Sequence, residues 1–316
     1  MQTVVLPGGS GLLGRAISKF LASKGYEVII LSRNPPRSGI SSSTKNIRFA
    51  LWDTEKKAIE AGVIESADII INLAGATVDE KRWTDRRKKE LVESRVKSCE
   101  TIVKALSEKS NNVKTVINVC GIGWYGEDQQ NKKQSRGFVE TDPPADNFLA
   151  ITCQKWEASI APVKDLGKRL VILRTGAVLS KEGGALKEFL KPVRFGIAAI
   201  LGNGKQIFSW VHVKDLCDMM LWTIENASMN GVYNAVSPSP VTNRNLMIEL
   251  ARQVKGNFYI PFYVPSFVLK ILFGELSTEV LKSTTVNSEK ILSTGFIFQY
   301  PEIKAALKDL CSVRKD

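Results

Sequence analysis

A glycine-rich turn near the start of the chain most constrains what it can fold into. Gly8, Gly11 and Gly14 follow the apolar run Thr3–Leu6 and precede the helical pattern Ala16–Leu21. A turn of this kind binds pyrophosphate, because glycine lets the backbone approach the ligand and the helix dipole favours an anion. The alternative is a tight turn without a ligand. We predict a dinucleotide site formed by Gly8, Gly9, Ser10, Gly11, Leu12 and Leu13.

The end of the second predicted strand indicates which dinucleotide binds. Glu27–Leu31 reads as a strand that ends at Ser32 and Arg33. At this distance from the glycines, an NAD site places Asp or Glu on the ribose 2′-hydroxyl. Ser32 and Arg33 instead offer a hydroxyl and a guanidinium, which suit a 2′-phosphate. We therefore predict NADP(H) as the cofactor, and the alternative is a solvated arginine at a strand end.

Strands and helices alternate along the first half of the chain. The predicted strands are Ile47–Leu51, Asp68–Leu73, Val113–Val119 and Arg169–Leu173, and the predicted helices are Asp85–Ser107 and Leu149–Val163. This alternation predicts an α/β fold, a Rossmann-type doubly wound parallel sheet with a smaller C-terminal substrate-binding part. We assign residues 1–179, continued by about 207–236, to the NADP(H)-binding domain. Residues 180–206 and 237–316 are assigned to the smaller part, at the carboxyl edge where ligands bind.

The net charge narrows the choice of partners. The chain carries 44 Lys and Arg against 32 Asp and Glu, so its formal charge is +12 and it attracts anions. The densest basic run, Lys81–Lys89, is followed by Glu90 and Glu93 on a helical pattern. We interpret this run as a solvated face, with a phosphate-binding patch as the alternative. No nucleic-acid-binding motif accompanies it, so no nucleic-acid partner is expected.

Hydropathy and cysteine content indicate the compartment. No signal sequence opens the chain, and its longest apolar stretch, Phe258–Gly274, is broken by Pro261, Pro265 and Lys270. We therefore expect neither secretion nor a membrane partner, and a cytoplasmic location. The five cysteines are far apart and form no C-x-x-C pair, so reduced thiols are expected rather than disulfides or a zinc site.

Short motifs in the same order as in a known family extend almost from end to end. The chain resembles the extended short-chain dehydrogenase/reductase superfamily, in particular its atypical NAD(P)-dependent epimerase/dehydratase-like branch. That branch is often labelled sugar-nucleotide epimerase or cell-division-inhibitor-like. Besides the glycine turn, the matching motifs are Ser32-Arg33-Asn34-Pro35, Trp52-Asp53, Asn72-Leu73-Ala74-Gly75, Ser94-Arg95-Val96, Trp124-Tyr125-Gly126, Lys155-Trp156-Glu157, Arg174–Leu179, Gly202-x-Gly204-x-Gln206, Ser209–Asp215 and Gly295-Phe296-x-Phe298.

The resemblance implies further cofactor-binding residues. Leu73, Ala74 and Gly75 would line the central portion of the cofactor, and Asp53 would lie at its adenine end. Gly176, in the motif after the strand at Arg169–Leu173, is included in the same set. For Leu73 to Gly75 the alternative is a strand end and turn without a ligand.

The resemblance also implies a catalytic triad that is incomplete here. Active members use Ser, Tyr and Lys, in which the phenol exchanges the substrate proton and the lysine holds the nicotinamide ribose. Lys155 matches the lysine position, but Ile151 stands at the tyrosine position and Gly121 at the serine position. The remaining candidates for proton transfer are Tyr125, Cys120 and His212, each with a purely structural alternative.

The substrate and the activity remain open at this point. The loop region expected at the pocket contains or adjoins four basic residues, Lys187, Lys191, Arg194 and Lys205. They favour an anionic small-molecule substrate, and the alternative is that they are solvated surface side chains. The aromatic stretch Phe258–Tyr263 either caps an apolar pocket or packs in the interior. Two functions are consistent with the sequence. One is an NADP(H)-dependent oxidoreductase or epimerase-like enzyme, and the other is an NADP(H)-binding sensor with little or no turnover.

Overall fold

A computed structural model describes residues 1–35, 46–128 and 136–312. The strands are β1 (Thr3–Pro7), β2 (Glu27–Ser32), β3 (Ile47–Asp53), β4 (Ala58–Ile59), β5 (Ile69–Asn72), β6 (Thr115–Gly121), β7 (Arg169–Thr175), β8 (Ala177–Leu179), β9 (Ile197–Leu201), β10 (Ile207–Phe208), β11 (Trp210–His212), β12 (Gly231–Ala235), β13 (Val241–Thr242) and β14 (Ile260–Val264). The α-helices are α1 (Leu12–Ser23), α2 (Asp85–Glu108), α3 (Phe148–Ile160), α4 (Ala185–Arg194), α5 (Val213–Glu225), α6 (Asn243–Lys255), α7 (Ser266–Phe273), α8 (Leu276–Leu281), α9 (Glu289–Leu292) and α10 (Ile303–Cys311).

Eight of these strands form one sheet. Its order is β12-β7-β6-β5-β1-β2-β3-β4, and every pair is parallel except the edge pair β3 and β4. The strand order reverses between β1 and β5, which opens a crevice at the carboxyl edge of the sheet. The prediction of an α/β fold built on a doubly wound parallel sheet is confirmed.

Helices cover both faces of the sheet because its central strands are apolar on both sides. In β1, Val4 and Leu6 pack on one face with α1 and α5, whereas Val5 packs on the other with α2 and α3. Successive side chains of a strand point to opposite faces, so a run without polar residues needs cover on both. This requirement fixes α1 and α2 against opposite faces and brings the ends of both helices to the crevice.

A third apolar cluster lies outside the large sheet. It gathers side chains of α4, β9, α6 and α10 around Trp210, and three two-stranded pairs, β8–β11, β9–β14 and β10–β13, frame it. The chain then returns to the large sheet, because Ile291, Phe296 and Phe298 pack in the first cluster with α5. The division into a nucleotide-binding domain and a smaller part therefore stays a prediction, with residues 291–298 packed on the larger one.

The cysteines are separate thiols. Cys99, Cys120, Cys153 and Cys217 are buried, Cys311 is half-buried, and none forms a disulfide. In the described ranges, no group of three or more His, Cys, Asp and Glu side chains is arranged to hold a metal ion. Within the same ranges, no helix combines the length and the apolar character needed to cross a membrane.

Candidate cofactor cleft

A cavity of about 630 Å³ opens at the crevice between β1 and β5. Eight of the residues predicted to bind a cofactor lie around it, namely Gly8, Ser10, Gly11, Ser32, Arg33, Leu73, Ala74 and Gly75. They come from the ends of β1, β2 and β5, which are far apart in sequence. The parallel pairing of these strands brings the three ends to one edge of the sheet, and this explains why three separate motifs meet.

The glycine turn is packed too closely for side chains. Gly8 has a φ of +79°, and a Cβ on it would lie 2.7 Å from the Ala74 amide nitrogen. A Cβ on Gly14 would lie 2.4 Å from the Gly9 Cα. Gly9 itself faces Ile30 and does not line the cavity. Gly8 therefore lets the turn pack against the residues that follow β5, and Gly14 lets the first turn of α1 pack against Gly9.

The first turn of α1 is open to an anion. Gly11 is the N-cap, no side chain caps the helix, and the first turn contains no acidic residue. The backbone amides of Leu13 and Gly14 therefore lack the partner that a Ser, Thr or Asp cap usually supplies. Such a helix start attracts phosphate through its amides and its dipole. The turn accordingly fits the pyrophosphate of a dinucleotide.

The far end of the cavity is polar and includes basic side chains. Ser32 Oγ accepts a 3.2 Å hydrogen bond from the Asn34 amide, and the exposed Arg33 forms no ion pair with any described residue. Lys97 Nζ binds both carboxylate oxygens of Glu55, at 2.9 and 2.7 Å. The described lining therefore includes three carboxylates, of Glu55, Glu90 and Glu93, that are each paired with a cation, and the Arg33 guanidinium, which is still available for an anion.

The wall that α2 forms was not predicted from the sequence. Arg86, Lys89, Ser94 and Lys97 of this helix line the cavity together with Trp52 and Thr54. Arg86 and Lys89 belong to the basic run interpreted above as a solvated face. The position of this run in the sequence could have indicated the wall. The run lies at the start of the helix that follows β5, and such a helix begins at the carboxyl edge of the sheet.

Several predicted residues lie outside the cavity lining. The Asp53 carboxylate accepts hydrogen bonds from the amides of Glu55 and Lys56, at 2.9 and 3.1 Å, and so holds the turn after β3. A Cβ on Gly176 would lie 2.6 Å from the Ser209 carbonyl oxygen, so this glycine permits close packing beside β11. The side chains of Leu12 and Leu13 are half-buried at the start of α1 and do not line the cavity either.

Tyr125 is buried in a hydrogen-bond network. Its side chain is 0% exposed, and its hydroxyl donates to Asn234 Oδ1 at 2.7 Å and accepts from Arg174 Nη1 at 3.1 Å. Arg174 also forms two bonds with Glu157, at 2.8 and 2.9 Å. Burial raises the pKa of Tyr125 to about 12. The structure therefore does not bring this phenol to the cavity.

Lys155 and Cys120 are also away from the cavity. Lys155 lies on the exposed stripe of α3 with Ile151, whereas Cys153 and Trp156 face the interior. The buried face meets the end of β6, where Cys153 Sγ lies 3.6 Å from the Gly121 carbonyl oxygen. Cys120 is 2% exposed, and burial raises the pKa of its thiol well above the usual range.

His212 caps a helix. Its Nδ1 accepts a 3.1 Å hydrogen bond from the Lys214 amide at the start of α5, and its ring stacks on Tyr300 at 4.0 Å. Burial lowers the pKa of His212 to about 4, although Asp309 opposes this shift from 3.4 Å. The sole histidine is therefore neutral near pH 7 and has a structural role, which is the alternative given for it above.

The basic residues expected at the pocket lie elsewhere. Lys187, Lys191, Arg194 and Lys205 are exposed, and none of them lines the cavity. Lys191 forms an ion pair with Glu188 at 2.6 Å. Among the described residues, the cations that line the cavity are Arg33 and, in α2, Arg86, Lys89 and Lys97.

Known proteins resemble the chain over its whole length. Epimerase family protein SAR0825 of Staphylococcus aureus (strain MRSA252) is 33% identical over 312 residues, which are 99% of this chain and 100% of that protein. Epimerase family protein YfhF of Bacillus subtilis (strain 168) is 30% identical over 315 residues, or 99% of each. Human epimerase family protein SDR39U1, solved with NADPH, is 28% identical with a TM-score of 0.84 and covers 98% of this chain and 99% of its own.

Two family models match separate parts of the chain. The model of a domain of unknown function, DUF1731, matches residues 264–310, which begin at the end of β14 and include α7 to α10. The model of the NAD dependent epimerase/dehydratase family matches residues 4–235, which hold all eight strands of the large sheet and the cavity at its edge. The chain therefore belongs to the NAD dependent epimerase/dehydratase family.

Proposed function

We propose that the protein is an NADP(H)-dependent oxidoreductase or epimerase-like enzyme that acts on a small molecule. The observation that carries the proposal is the single cavity joining the open start of α1 to Arg33 at the end of β2. The first feature suits a pyrophosphate, and the second suits a further phosphate at one end of a dinucleotide.

The preference for NADP(H) depends on charge at the end of β2. A ribose 2′-hydroxyl is usually held by an acidic side chain at this place, and Ser32 and Arg33 stand there instead. Glu55 also lines the cavity, but its carboxylate is bound to Lys97. The structure of human SDR39U1 with NADPH supports the same preference, since the two chains align almost completely.

In this proposal, the residues of the chain bind and orient the cofactor. The start of α1 holds the pyrophosphate, Gly8 permits its close approach, and Arg33 selects the 2′-phosphate. A bound nicotinamide dinucleotide supplies hydride transfer. We assign no proton-transfer role to Tyr125 or Lys155, because the phenol is buried in a network and the ammonium lies on an exposed stripe.

The nature of the substrate and the compartment are also proposals. The charge of +12 favours an anionic substrate, because a positive surface draws anions toward the molecule. Five unpaired cysteines favour a reducing compartment, and we propose the cytoplasm.

The test is a turnover screen with a charge-blocked variant. With carbonyl compounds as substrates, NADPH oxidation is followed by absorbance. Nucleotide sugars are examined by NMR, because epimerisation returns the hydride to the sugar and leaves no net NADPH oxidation to measure. Ser10→Asp places a negative charge at the exposed glycine turn and is expected to abolish turnover of any substrate found. Asn112→Asp adds the same charge in the exposed loop before β6, at the opposite edge, and is expected to keep it. NADPH binding without turnover in the whole screen would support the sensor instead.

A further inference from the structure

The pair β9–β14 leaves one apolar face uncovered by the described residues. Phe195, Ile197, Phe258, Ile260 and Phe262 are 85%, 39%, 87%, 72% and 55% exposed. In the parallel register Ile197 pairs with Ile260, and the two phenylalanines at 195 and 258 each precede this pair by two residues. Because strand side chains alternate, Ile197, Ile260 and Phe262 lie on one side of the pair. Phe195 and Phe258 are exposed in the segments directly before the two strands, and we call these five residues the aromatic face.

On the other side of the same pair, β9 is buried, whereas Pro261 and Tyr263 of β14 are exposed. Ala198 and Ile200 are fully buried, and β9 packs against α4 and α6. The stretch Phe258–Tyr263 was expected to cap a pocket or to pack inside, but within it only Tyr259 packs against the third apolar cluster, and the other residues are exposed. Its alternation places Ile260 and Phe262 opposite the packed side. Contiguous exposed apolar area of this kind marks an interaction site.

The next helix continues the exposed apolar character. In α7, Phe267, Ile271 and Leu272 are 65%, 65% and 58% exposed, and of its eight residues only Leu269 is buried. Its one charged residue is Lys270. Its exposed aromatic and aliphatic side chains provide the apolar surface that a segment buried in a membrane interface needs.

The two sequence spans that form the aromatic face and α7 carry charge of one sign. No Asp or Glu occurs between Glu188 and Asp215 or between Glu249 and Glu275, and both spans contain Lys and Arg. Among these cations, Arg194, Lys255 and Lys270 form no ion pair within the described ranges. Arg82 donates to the carbonyls of Ile271 and Leu272, so the basic run at residues 81–89 adjoins α7.

These observations point to one occupant. Aromatic side chains are favoured at the level of lipid headgroups, and nearby Lys and Arg are attracted to anionic lipid. A second copy of the chain would bring the same cations against each other, which is unfavourable. We propose that the aromatic face and α7 dock the protein on the surface of an anionic lipid bilayer.

The proposal departs from the expectation of no membrane partner. That expectation rested on hydropathy along the chain, where Pro261, Pro265 and Lys270 interrupt the apolar stretch. Docking on a surface needs no continuous apolar run. It needs an exposed face, and here the pairing of β9 with β14 forms one from two segments whose paired residues are 63 positions apart in sequence.

The test is co-sedimentation of the full chain with vesicles. Vesicles of phosphatidylcholine with 30% phosphatidylglycerol are compared with vesicles of phosphatidylcholine alone. We expect binding at least about tenfold tighter to the anionic vesicles, weakened by salt, because each cation near the surface adds attraction. The double variant Phe258→Ser, Phe262→Ser is expected to reduce binding at least about tenfold, because two exposed apolar anchors are lost. Lys270→Gln is expected to reduce binding to the anionic vesicles alone.

A matched control uses an exposed apolar residue elsewhere. Ile297 is 84% exposed and follows Phe296, which packs on the large sheet, so Ile297→Ser is expected to bind vesicles like the wild type. Equal binding to both vesicle types, or none to either, would overturn the proposal. So would self-association of the wild type that is lost in Phe267→Ser without loss of vesicle binding. Circular dichroism checks that each variant is folded, and NADPH titration of the same variants keeps this test separate from the proposed enzyme function.

Discussion

The Tyr125 hydroxyl donates a 2.7 Å hydrogen bond to Asn234 Oδ1 in the interior of the protein. This bond joins the segment that follows β6 to β12, two strands away across the sheet. Arg174 of the intervening β7 donates to the same hydroxyl at 3.1 Å. The phenol therefore completes a buried hydrogen-bond network beneath the carboxyl edge of the sheet. The proton-transfer role that the family resemblance implies would instead require it to face a substrate.

Tyr125→Phe is expected to destabilise the fold without impairing catalysis. The change leaves the buried Asn234 carbonyl and one Arg174 N–H without a partner, which costs about 1–3 kcal/mol of unfolding free energy. NADPH affinity and turnover of the folded variant are expected to stay within about twofold of the wild type. Denaturant unfolding and steady-state kinetics measure the two effects. A fully stable variant with turnover reduced a hundredfold would restore the phenol to the mechanism.

Lys155→Met is expected to leave cofactor binding unchanged. Lys155 is exposed on α3 and forms no hydrogen bond with the described residues, so its removal breaks no contact with the cavity. We expect an NADPH dissociation constant within about twofold of the wild type, measured by calorimetry. A tenfold weaker constant, equivalent to about 1.4 kcal/mol, would support the ribose role that the family resemblance implies.

Gly14→Ala is expected to damage both the fold and the cofactor site. Its Cβ would lie 2.4 Å from the Gly9 Cα, so α1 has to move away from the turn. Gly121→Ala is the matched control, because Gly121 has an extended φ of −130° and its Cβ would meet its nearest atom at 3.8 Å. Thermal unfolding and NADPH titration are expected to show losses for the first variant alone. Equal behaviour of the two would contradict the close packing.

Because His212 is buried in its neutral form, we expect the unfolding free energy lost in His212→Asn, relative to the wild type, to depend on pH. The folded pKa of about 4 lies below the ordinary 6.5, so the unfolded chain is protonated first as the pH falls. Wild-type stability from this group is present above about pH 6.5 and is lost toward about pH 4. Asn keeps the capping oxygen but does not titrate.

The measurement compares unfolding free energies at pH 7, 5.5 and 4.5. The cost of His212→Asn is expected to shrink as the pH falls, by up to about 3 kcal/mol. Burial also raises the pKa of Asp215 to about 6, which changes stability in the opposite direction. Both proteins share that group, so its effect cancels in the difference. A cost that is constant with pH would show that His212 is not buried in its neutral form.

The cofactor cleft was predictable where each residue follows from local sequence. The glycine turn lies between a strand and a helix, and its spacing determines which backbone atoms approach β5. Arg33 ends a strand whose parallel neighbour is β1, so it reaches the same edge. A residue at the end of a parallel strand lies at the carboxyl edge of the sheet, so its position follows from the sequence without knowledge of tertiary packing.

Residues placed by tertiary packing were not predictable in the same way. The motif around Tyr125 indicates an edge position, but the partners that bury its hydroxyl come from β7 and β12, about 50 and 110 residues later. On α3 the pairing of Ile151 with Lys155 follows sequence spacing, whereas packing of Cys153 and Trp156 determines which side faces inward. The aromatic face likewise depends on the pairing of two distant strands.

The most direct test of the account is the preference between two cofactors. Calorimetric titration compares NADPH and NADH with the wild type, Arg33→Ala and Arg252→Ala, whose arginine in α6 does not line the cavity. A contact between Arg33 and a phosphate contributes about 1.5–3 kcal/mol, so the wild type is expected to prefer NADPH at least about tenfold. Arg33→Ala is expected to lose most of this preference, and Arg252→Ala to keep it. Equal affinities for NADPH and NADH in the wild type would contradict the central claim.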